Sequence, residues 1–434
     1  MSEIEENPSF FEVAPWLQAR SEEVLRTLAP TFERIERVTE YNQQKVLAAF
    51  IRHRVSESHF TPTTGYGYGD RGRETLDAVF ADVMGAEDAL VRHSIVSGTH
   101  AITIALFALL RPGDTLLAAT GAPYDTLDRV IGAKVASAGS LAEYGIGYRE
   151  VPLTEEQTPD LEGIRRALAE DASIRVVHIQ RSRGYDPRPS LSVEAIGRIV
   201  RAVRSVRPDA VIFADNCYGE FAETHEPTEV GVDLMAGSLI KNPGGGIAEN
   251  GGYVCGRADL VEQCAYRMTT PGLGREVGAS LGHTRSLFMG LFHAPHVVGE
   301  AMKTAVYAAG LFASFGFEVS PRADEVRADI IQTVCLKTPE NLVAFCQGMQ
   351  SGAPVDAFVL PEPWDMPGYE DPVVMAAGAF TAGSSIELSA DGPLRPPYAA
   401  YMQGGLNFHS GKMGVLLAAQ SMVSKGLLTP DGQG

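Results

Sequence analysis

Apolar residues recur along the chain with two different periods, and these periods predict alternating helices and strands. Residues 21–37 and 41–54 carry apolar side chains three and four positions apart, which predicts two helices near the N-terminus. After residue 90, short apolar runs that end in turn-forming residues alternate with helical patterns. This alternation is typical of βα units that build a parallel sheet.

The same pattern gives bounds for the remaining elements. Strands are predicted at residues 90–96, 115–119, 148–151, 175–180, 210–214 and 251–255, with β-like segments at 330–336 and 357–360. Helices are predicted at residues 74–84, 101–110, 123–131, 161–168, 193–206, 290–315 and 339–350. We therefore predict an α/β protein with an N-terminal helical arm (1–60), a large domain on a mostly parallel sheet (61–305) and a smaller C-terminal α/β domain (306–434).

Charge and composition limit the classes of partner. The 434 residues include 54 acidic and 36 basic ones, and a net charge of −18 argues against nucleic acid or a membrane as a partner. The first six residues are acidic and polar, and the longest apolar run (101–110) is too short to span a bilayer. Five cysteines without a C-x-x-C pair indicate reduced thiols. We expect a cytoplasmic protein.

Lys241 stands at the end of an apolar run (233–240) and is followed by Asn242, Pro243 and three glycines. A lysine that forms a Schiff base needs an apolar setting that lowers its pKa, and glycines let the backbone fold closely around a ligand. Ser238, three residues earlier, could donate to an anion at the same place. The S-x-x-K spelling also occurs in serine acyl-transfer enzymes, and a lysine beside a glycine turn is the simpler alternative.

Two other segments are placed to bind a ligand. Asp215 follows the apolar strand 210–214, and ligands bind at the carboxyl ends of strands in open parallel sheets. Ser97, Gly98 and Thr99 lie between a strand and a helix, where backbone N–H groups and the helix dipole can hold an anion. The alternative for both segments is helix capping for stability alone.

A glycine–tyrosine loop at residues 64–73 precedes the core strands and contains Tyr66 and Tyr68. Its alternating glycines predict a loop that presents phenol and guanidinium donors to a phosphate, and a surface turn is the alternative.

A lysine, a strand-end aspartate, an anion-binding turn and nearby aromatic residues are the parts of a pyridoxal 5′-phosphate (PLP) site. A Rossmann site is disfavoured because the glycines of the tyrosine loop have the wrong spacing and precede the first core strand. A zinc site would rest on His293 and His296 alone, so we expect no metal.

Five motifs resemble one known family. They are S-G-T-H-A-I (97–102), L-R-P-G-D (110–114), P-Y-D-T-L (123–127), S-L-I-K-N-P-G-G-G (238–246) and Q-G-G-L (403–406). They are similar to the methionine γ-lyase-related group, also called aluminium resistance proteins, in the cystathionine γ-synthase/γ-lyase branch of fold type I PLP enzymes. The resemblance runs from about residue 64 to residue 411 and implies the fold type I architecture.

The resemblance also implies roles for the cofactor-binding residues. Lys241 would form the Schiff base, and Asp215 would pair with the pyridinium nitrogen. The phosphate would be held by Ser97, Gly98, Thr99 and Ser238.

Further roles concern the substrate and the assembly. Tyr124 would stack on the ring and assist proton transfer, and Arg395 would bind the substrate carboxylate. Tyr68, with Tyr66, would reach the phosphate from a neighbouring subunit, which implies a homodimer or homotetramer with shared active sites.

The chain departs from the family pattern at two places. The related lyases carry an arginine two residues after the tyrosine that matches Tyr68, whereas this chain has Asp70, and Arg71 or Arg73 could substitute for it. Glu249 and Asn250 follow the glycine loop where small or hydroxylated residues are expected.

The resemblance implies a lyase that catalyses γ-elimination on a γ-substituted amino acid with a thiol, halide or similar leaving group. β-Elimination, γ-replacement and transamination use related chemistry and stay open. A PLP-binding stress-tolerance protein without catalysis is a further alternative, which the complete set of Lys241, Asp215 and Arg395 disfavours.

Overall fold

The computed structural model describes residues 10–134, 137–184, 188–365 and 371–433. Its helices are α1 (Pro15–Arg52), α2 (Arg71–Val83), α3 (Gly98–Leu109), α4 (Asp125–Ile131), α5 (Leu161–Glu170), α6 (Val193–Arg204), α7 (Ala258–Met268), α8 (Thr284–Ala313), α9 (Pro339–Ser351) and α10 (Phe408–Ser424). Short 3₁₀ turns include Glu57–Phe60 and Asn242–Gly244.

The strands form a large sheet, a small sheet and a terminal hairpin. They are β1 (Asp88–Arg92), β2 (Thr115–Ala118), β3 (Gly147–Glu150), β4 (Ile174–Gln180), β5 (Val211–Asp215), β6 (Leu234–Ser238), β7 (Gly252–Gly256), β8 (Glu318–Ser320), β9 (Gln332–Cys335), β10 (Val373–Ala376), β11 (Ser389–Pro393), β12 (Ala399–Gln403), β13 (Leu428–Thr429) and β14 (Gly432–Gln433).

The large sheet has seven strands in the order β1-β7-β6-β5-β4-β2-β3. Only β7 runs antiparallel to its neighbours, so the carboxyl ends of β4, β5 and β6 meet at one edge. The central strand β5 is apolar until Asp215 and is buried along its whole length, as expected where helices cover both faces. The predicted α/β fold class with a mostly parallel sheet is confirmed.

The small sheet has the order β10-β11-β12-β9-β8, and all of its pairings are antiparallel. Helix α8 leads into it from the large domain and is buried along most of its length. The predicted boundary at residue 305 falls inside this helix, so the limits of the domains stay a prediction.

The N-terminal segment is one helix of 38 residues and not the two predicted ones. Its buried face packs along α8, where glycines allow close approach: a Cβ at Gly310 would lie 2.9 Å from Val24 Cγ1. Pro30 lies inside this helix and removes one backbone hydrogen-bond donor, and the packing against α8 compensates for the lost bond.

Other sequence predictions differ from the structure in the C-terminal part. Residues 357–360 form no strand, and the predictions omitted β8, β10 to β14 and α10, as well as β6 and α7 earlier in the chain. Helix α10 buries seven residues around much of its circumference, so it lacks a clear polar face in the sequence. Among the described residues, no helix is both long and apolar enough to cross a membrane.

Candidate active site

Asp215 is the last residue of β5 and lies buried at the carboxyl edge of the large sheet. Its Oδ1 accepts a hydrogen bond from the backbone N–H of Cys217 at 3.1 Å. Burial raises the pKa of this carboxyl, whereas the charge of Lys241 and the hydrogen bonds from Cys217 act to lower it. A cation placed against the carboxylate would favour its ionised form.

Lys241 follows β6 by three residues, and its Nζ lies 4.0 Å from the centroid of the Tyr218 ring. The sequence predicts a lowered pKa for this amine, and the structure gives the opposite. Burial lowers the pKa of Lys241, but Cys217, Tyr218 and Asp215 together raise it above its ordinary value. The carboxyl, thiol and phenol groups around the amine therefore outweigh its desolvation.

The turn before α3 meets the end of β6. Ser97 caps α3, because its side-chain oxygen accepts from the backbone N–H of His100 at 3.0 Å. A Cβ at Gly98 would lie 3.1 Å from Cys217 Sγ and 3.3 Å from Ser238 Cβ, so only glycine leaves this space open. The helix N-terminus, Ser238 and Cys217 thus surround one small cradle.

Tyr124 joins this group from the residue that precedes α4. Its hydroxyl lies 2.9 Å from Thr99 Oγ1, and its backbone N–H donates to Gln180 Oε1 at 2.9 Å, at the end of β4. Burial and the charge of Asp215 raise the pKa of the phenol, so it remains protonated near neutral pH. Tyr124 can therefore donate a proton beside the lysine.

Tyr66 and Tyr68 lie apart from these residues within one chain. They are 72% and 59% exposed, and their ring centroids are 5.7 Å apart. The loop that carries them rests on a second loop, since the N–H of Gly278 donates to the carbonyl of Tyr66 at 2.9 Å. Their exposed rings are available to a second subunit.

Arg73 lies beneath the tyrosine loop. Its buried guanidinium donates to the carbonyls of Gly67 and Gly278 at 3.0 and 2.7 Å, and so fixes the tyrosine loop. Asp70 is the buried cap of α2 and accepts from the N–H of Arg73 at 2.9 Å. Arg71 is exposed at the first position of α2.

Arg395 is not brought together with Lys241 in this chain. It lies in the turn between β11 and β12, is half exposed, and its Nη1 donates to Asp371 Oδ2 at 3.1 Å. The contact between the small domain and the lysine segment is at the other end of β11, where the N–H of Ile386 donates to the carbonyl of Ile240 at 3.0 Å.

The segment after the glycine loop lies against the carboxyl end of strand β1. Asn250 Nδ2 donates to the carbonyl of His93 at 3.0 Å. Glu249 is exposed, and its Oε2 lies 3.6 Å from Nδ1 of His283, whose ring stacks on that of His93.

Sequence reasoning missed Tyr218, Cys217 and Asn242. Asn242 Nδ2 donates to the carbonyls of Tyr218 and Glu220, both at 2.9 Å, and so ties the lysine segment to the segment after β5. Tyr218 has a backbone φ of 71°, which is unusual for a tyrosine and marks a strained position. The motif D-N-C-Y-G (215–219), which begins at the last residue of β5, is the sequence signal that could have identified Cys217 and Tyr218.

The glycine loop itself is pressed against α8. A Cβ at Gly245 would lie 2.5 Å from the carbonyl oxygen of Gly290, and a Cβ at Gly290 would collide with the carbonyl of Gly244. The backbone after Lys241 and the backbone of α8 are therefore in direct contact.

Glu220 is a buried carboxyl behind the site. Its Oε1 accepts from the Tyr253 hydroxyl at 2.6 Å, and its Oε2 is buried without a hydrogen-bond partner. Burial raises the pKa of Glu220 to about 8 from an ordinary value of 4.5. Between these two values the folded chain holds a proton that the unfolded chain releases, so stability falls as the pH rises.

The variant Glu220→Gln is expected to flatten this pH dependence, because an amide carries no titrating proton. Between pH 5 and pH 8 the free energy of unfolding should fall less for the variant than for the wild type, by about 1 kcal/mol or more. Urea unfolding at both pH values measures the difference, with the exposed Glu156→Gln as a matched control. Parallel curves for Glu220→Gln and the wild type would contradict the assignment.

The residues at this edge fit PLP. The Gly98 cradle, which a Cβ would fill, lies beside two donors for a phosphate, Ser238 and the α3 N-terminus. Lys241 and the buried carboxylate of Asp215 supply an amine and a partner for a protonated ring nitrogen.

Comparisons with known proteins agree with this chemistry. The family model for methionine γ-lyase matches residues 17–423. The uncharacterized Bacillus subtilis protein YnbB is 49% identical over 413 residues, which cover 95% of this chain and 98% of that protein. A carbon–sulfur lyase involved in aluminium resistance from Clostridium novyi has a structure with a TM-score of 0.91 and 50% identity, covering 94% of this chain and 96% of that one.

A more distant structure defines the fold. Cystathionine γ-synthase from Xanthomonas oryzae superposes with a TM-score of 0.59 at 18% identity, over 89% of this chain and 99% of that one. The chain is thus a PLP-dependent enzyme of fold type I, which confirms the predicted cofactor and architecture. It belongs to the methionine γ-lyase family, in the cystathionine γ-synthase/γ-lyase branch.

Proposed function

We propose that this PLP-dependent lyase catalyses γ-elimination on a γ-substituted amino acid, with a thiol, a halide or a similar leaving group. The observation that carries the proposal is the convergence of Lys241, Asp215, Tyr124 and the Gly98 turn at one edge of the sheet. Elimination needs proton removal, proton donation and an electron sink at one place. Lys241 and Tyr124 offer the two proton transfers, and the Gly98 turn and Asp215 would hold the cofactor that is the electron sink.

Bound PLP supplies the electron sink that makes the protons next to the amino group acidic. The Lys241 amine would take the proton from the α-carbon and then one from the β-carbon, so that the γ-substituent can leave with its bonding electrons. The Tyr218 ring face keeps the ammonium form of the lysine in place between transfers. Tyr124, held by Thr99, donates a proton to the departing group. The carboxylate of Asp215 holds a proton on the ring nitrogen.

The active unit is proposed to be at least a dimer. The exposed rings of Tyr66 and Tyr68 lie on a loop that Arg73 fixes from within, as suits side chains that complete the site of a partner. The cytoplasm is the proposed location.

A panel of γ-substituted amino acids tests the reaction. The cofactor-loaded protein is incubated with a γ-thioether amino acid, an S-acyl homocysteine, a γ-halide and a plain amino acid with a 2-oxo acid. Release of ammonia together with a thiol or halide from a γ-substituted compound is the expected result. Conversion of the plain amino acid alone would contradict γ-elimination and identify a transaminase.

A further inference from the structure

Two arginines are buried at the junction between the large and the small domain. Arg183 follows the end of β4 by three residues, and Arg327 precedes β9. They are 1% and 4% exposed. Within the described ranges neither guanidinium forms an ion pair with a carboxylate, although an unpaired buried charge is costly.

The hydrogen bonds of these two side chains go to neutral groups and leave donors unused. Nη1 of Arg183 donates to the carbonyl and hydroxyl of Ser320 at 3.2 and 3.1 Å and to the Thr333 hydroxyl at 3.2 Å, while Nε is buried without a partner. Arg327 donates through Nη2 to Gln332 Oε1, and its Nε and Nη1 are buried without partners. Unused guanidinium donors that are buried favour an anionic ligand.

The charge of Asp329 acts on both guanidiniums, but within the described ranges it forms no ion pair with either of them. Asp329 accepts instead from the Ser190 hydroxyl and from the N–H of Ile331. Burial lowers the pKa of Arg327 to about 10, and the charge of Arg183 contributes to that shift while Asp329 opposes it. The two positive charges therefore act against each other.

A row of side chains connects this pair to the active site. Ser320, Thr333, Tyr401 and Asp391 are successive cross-strand partners on β8, β9, β12 and β11, so they lie on one face of the small sheet. Arg183 contacts one end of this cross-sheet row. At the other end the charge of Asp391 acts on Tyr218, whose ring contacts Lys241.

The main chain gives a second connection. A Cβ at Gly184, the residue after Arg183, would lie 3.8 Å from Tyr124 Cβ and 3.6 Å from Gln180 Nε2. Gln180 also accepts from the N–H of Tyr124. The backbone next to Arg183 therefore packs against Tyr124, the residue that we propose as proton donor. Arg395, in contrast, is paired with Asp371 in an exposed turn.

We propose that Arg183 and Arg327 form a binding site for a carboxylate of the amino-acid substrate, a role that the family resemblance places on Arg395. This inference rests on the proposed function for its substrate class. The carboxylate belongs either to the α-carbon or to the far end of a γ-substituent. The row's ends are separated by three strand spacings, about 14 Å in all, which is the length scale of an extended γ-substituted amino acid.

Calorimetric binding to the cofactor-loaded full-length protein tests the site, first with two probes that the enzyme cannot turn over. The probes are succinate and its neutral analogue succinamide, then L-methionine, L-methioninamide and L-cystathionine. Arg183→Gln and Arg327→Gln are expected to weaken succinate binding about 10- to 100-fold and to leave succinamide unchanged. Arg183→Lys, which keeps the charge without the guanidinium fork, should lie between Arg183→Gln and the wild type.

The amino-acid probes separate the two sources of the carboxylate. Loss of the preference for methionine over methioninamide in the variants assigns the α-carboxylate, and loss of the preference for cystathionine over methionine assigns the distal one. The exposed Arg198→Gln is the matched control and should preserve every preference.

Three results overturn the proposal. They are unchanged succinate affinity in folded Arg183→Gln and Arg327→Gln, no succinate binding to the wild type, or loss of carboxylate preference in Arg395→Gln alone. Far-UV circular dichroism and the visible absorption of the cofactor report whether each variant folds, and Arg183→Lys serves where a glutamine variant does not. A failed γ-elimination assay leaves the succinate result intact, so the two failures are distinguishable.

Discussion

Lys241→Ala is expected to lower lyase activity by at least about a thousandfold and to abolish the cofactor's absorption band that depends on the lysine. The physical reason is that one amine serves two purposes, attachment of the cofactor and proton transfer at the substrate. In the structure its Nζ lies over the Tyr218 ring, and its pKa responds to the carboxyl of Asp215 and the thiol of Cys217. Absorption spectroscopy and single-turnover assays on the purified variant measure both effects.

The control for this variant is Lys425→Ala, which removes an exposed lysine after α10. It should keep the spectrum and the rate of the wild type. A Lys241→Ala protein with an unchanged absorption spectrum would refute the assignment of the lysine, whatever its remaining activity.

Asp215→Asn is expected to lower the turnover rate about 100- to 1,000-fold while the fold is preserved. The amide keeps the size of the carboxyl and can still accept from the N–H of Cys217, but it brings no negative charge. A protonated ring nitrogen is then no longer stabilised, so the electron sink weakens. Steady-state rates and the pH dependence of the cofactor spectrum test this expectation.

Asp209→Asn, at an exposed position before β5, is the matched control and should behave as the wild type. Retention of the full turnover rate in Asp215→Asn would show that the carboxylate does not act on the ring.

The sequence predicts well the parts of the site that depend on local order along the chain. Asp215 ends an apolar strand, and Ser97 precedes a helix, so their places at the sheet edge follow from the strand and helix patterns alone. For Lys241 the sequence shows only the apolar run before it. The structure adds that this run contains strand β6, which is parallel to β5, so that the carboxyl ends of the two strands lie side by side.

The parts that the sequence does not predict depend on contacts between distant segments. Arg395 matches a motif, but the β11–β12 hairpin places it in an exposed turn beside Asp371. Arg183 carries no sequence signal, because its burial arises from Ser320 and Thr333, more than 130 residues away in the chain. The raised pKa of Lys241 likewise depends on side chains that only the fold assembles.

The contact between Gly245 and Gly290 has a consequence for protein engineering. Because the two backbones touch there without side chains between them, the position of α8 fixes the position of the Lys241 segment relative to the sheet. Mutagenesis libraries for new substrates should leave both glycines intact, since any added methyl group would displace the lysine segment. Substitutions are better introduced at Thr333 and Tyr401, which are cross-strand partners in the small sheet and can change without moving this backbone contact.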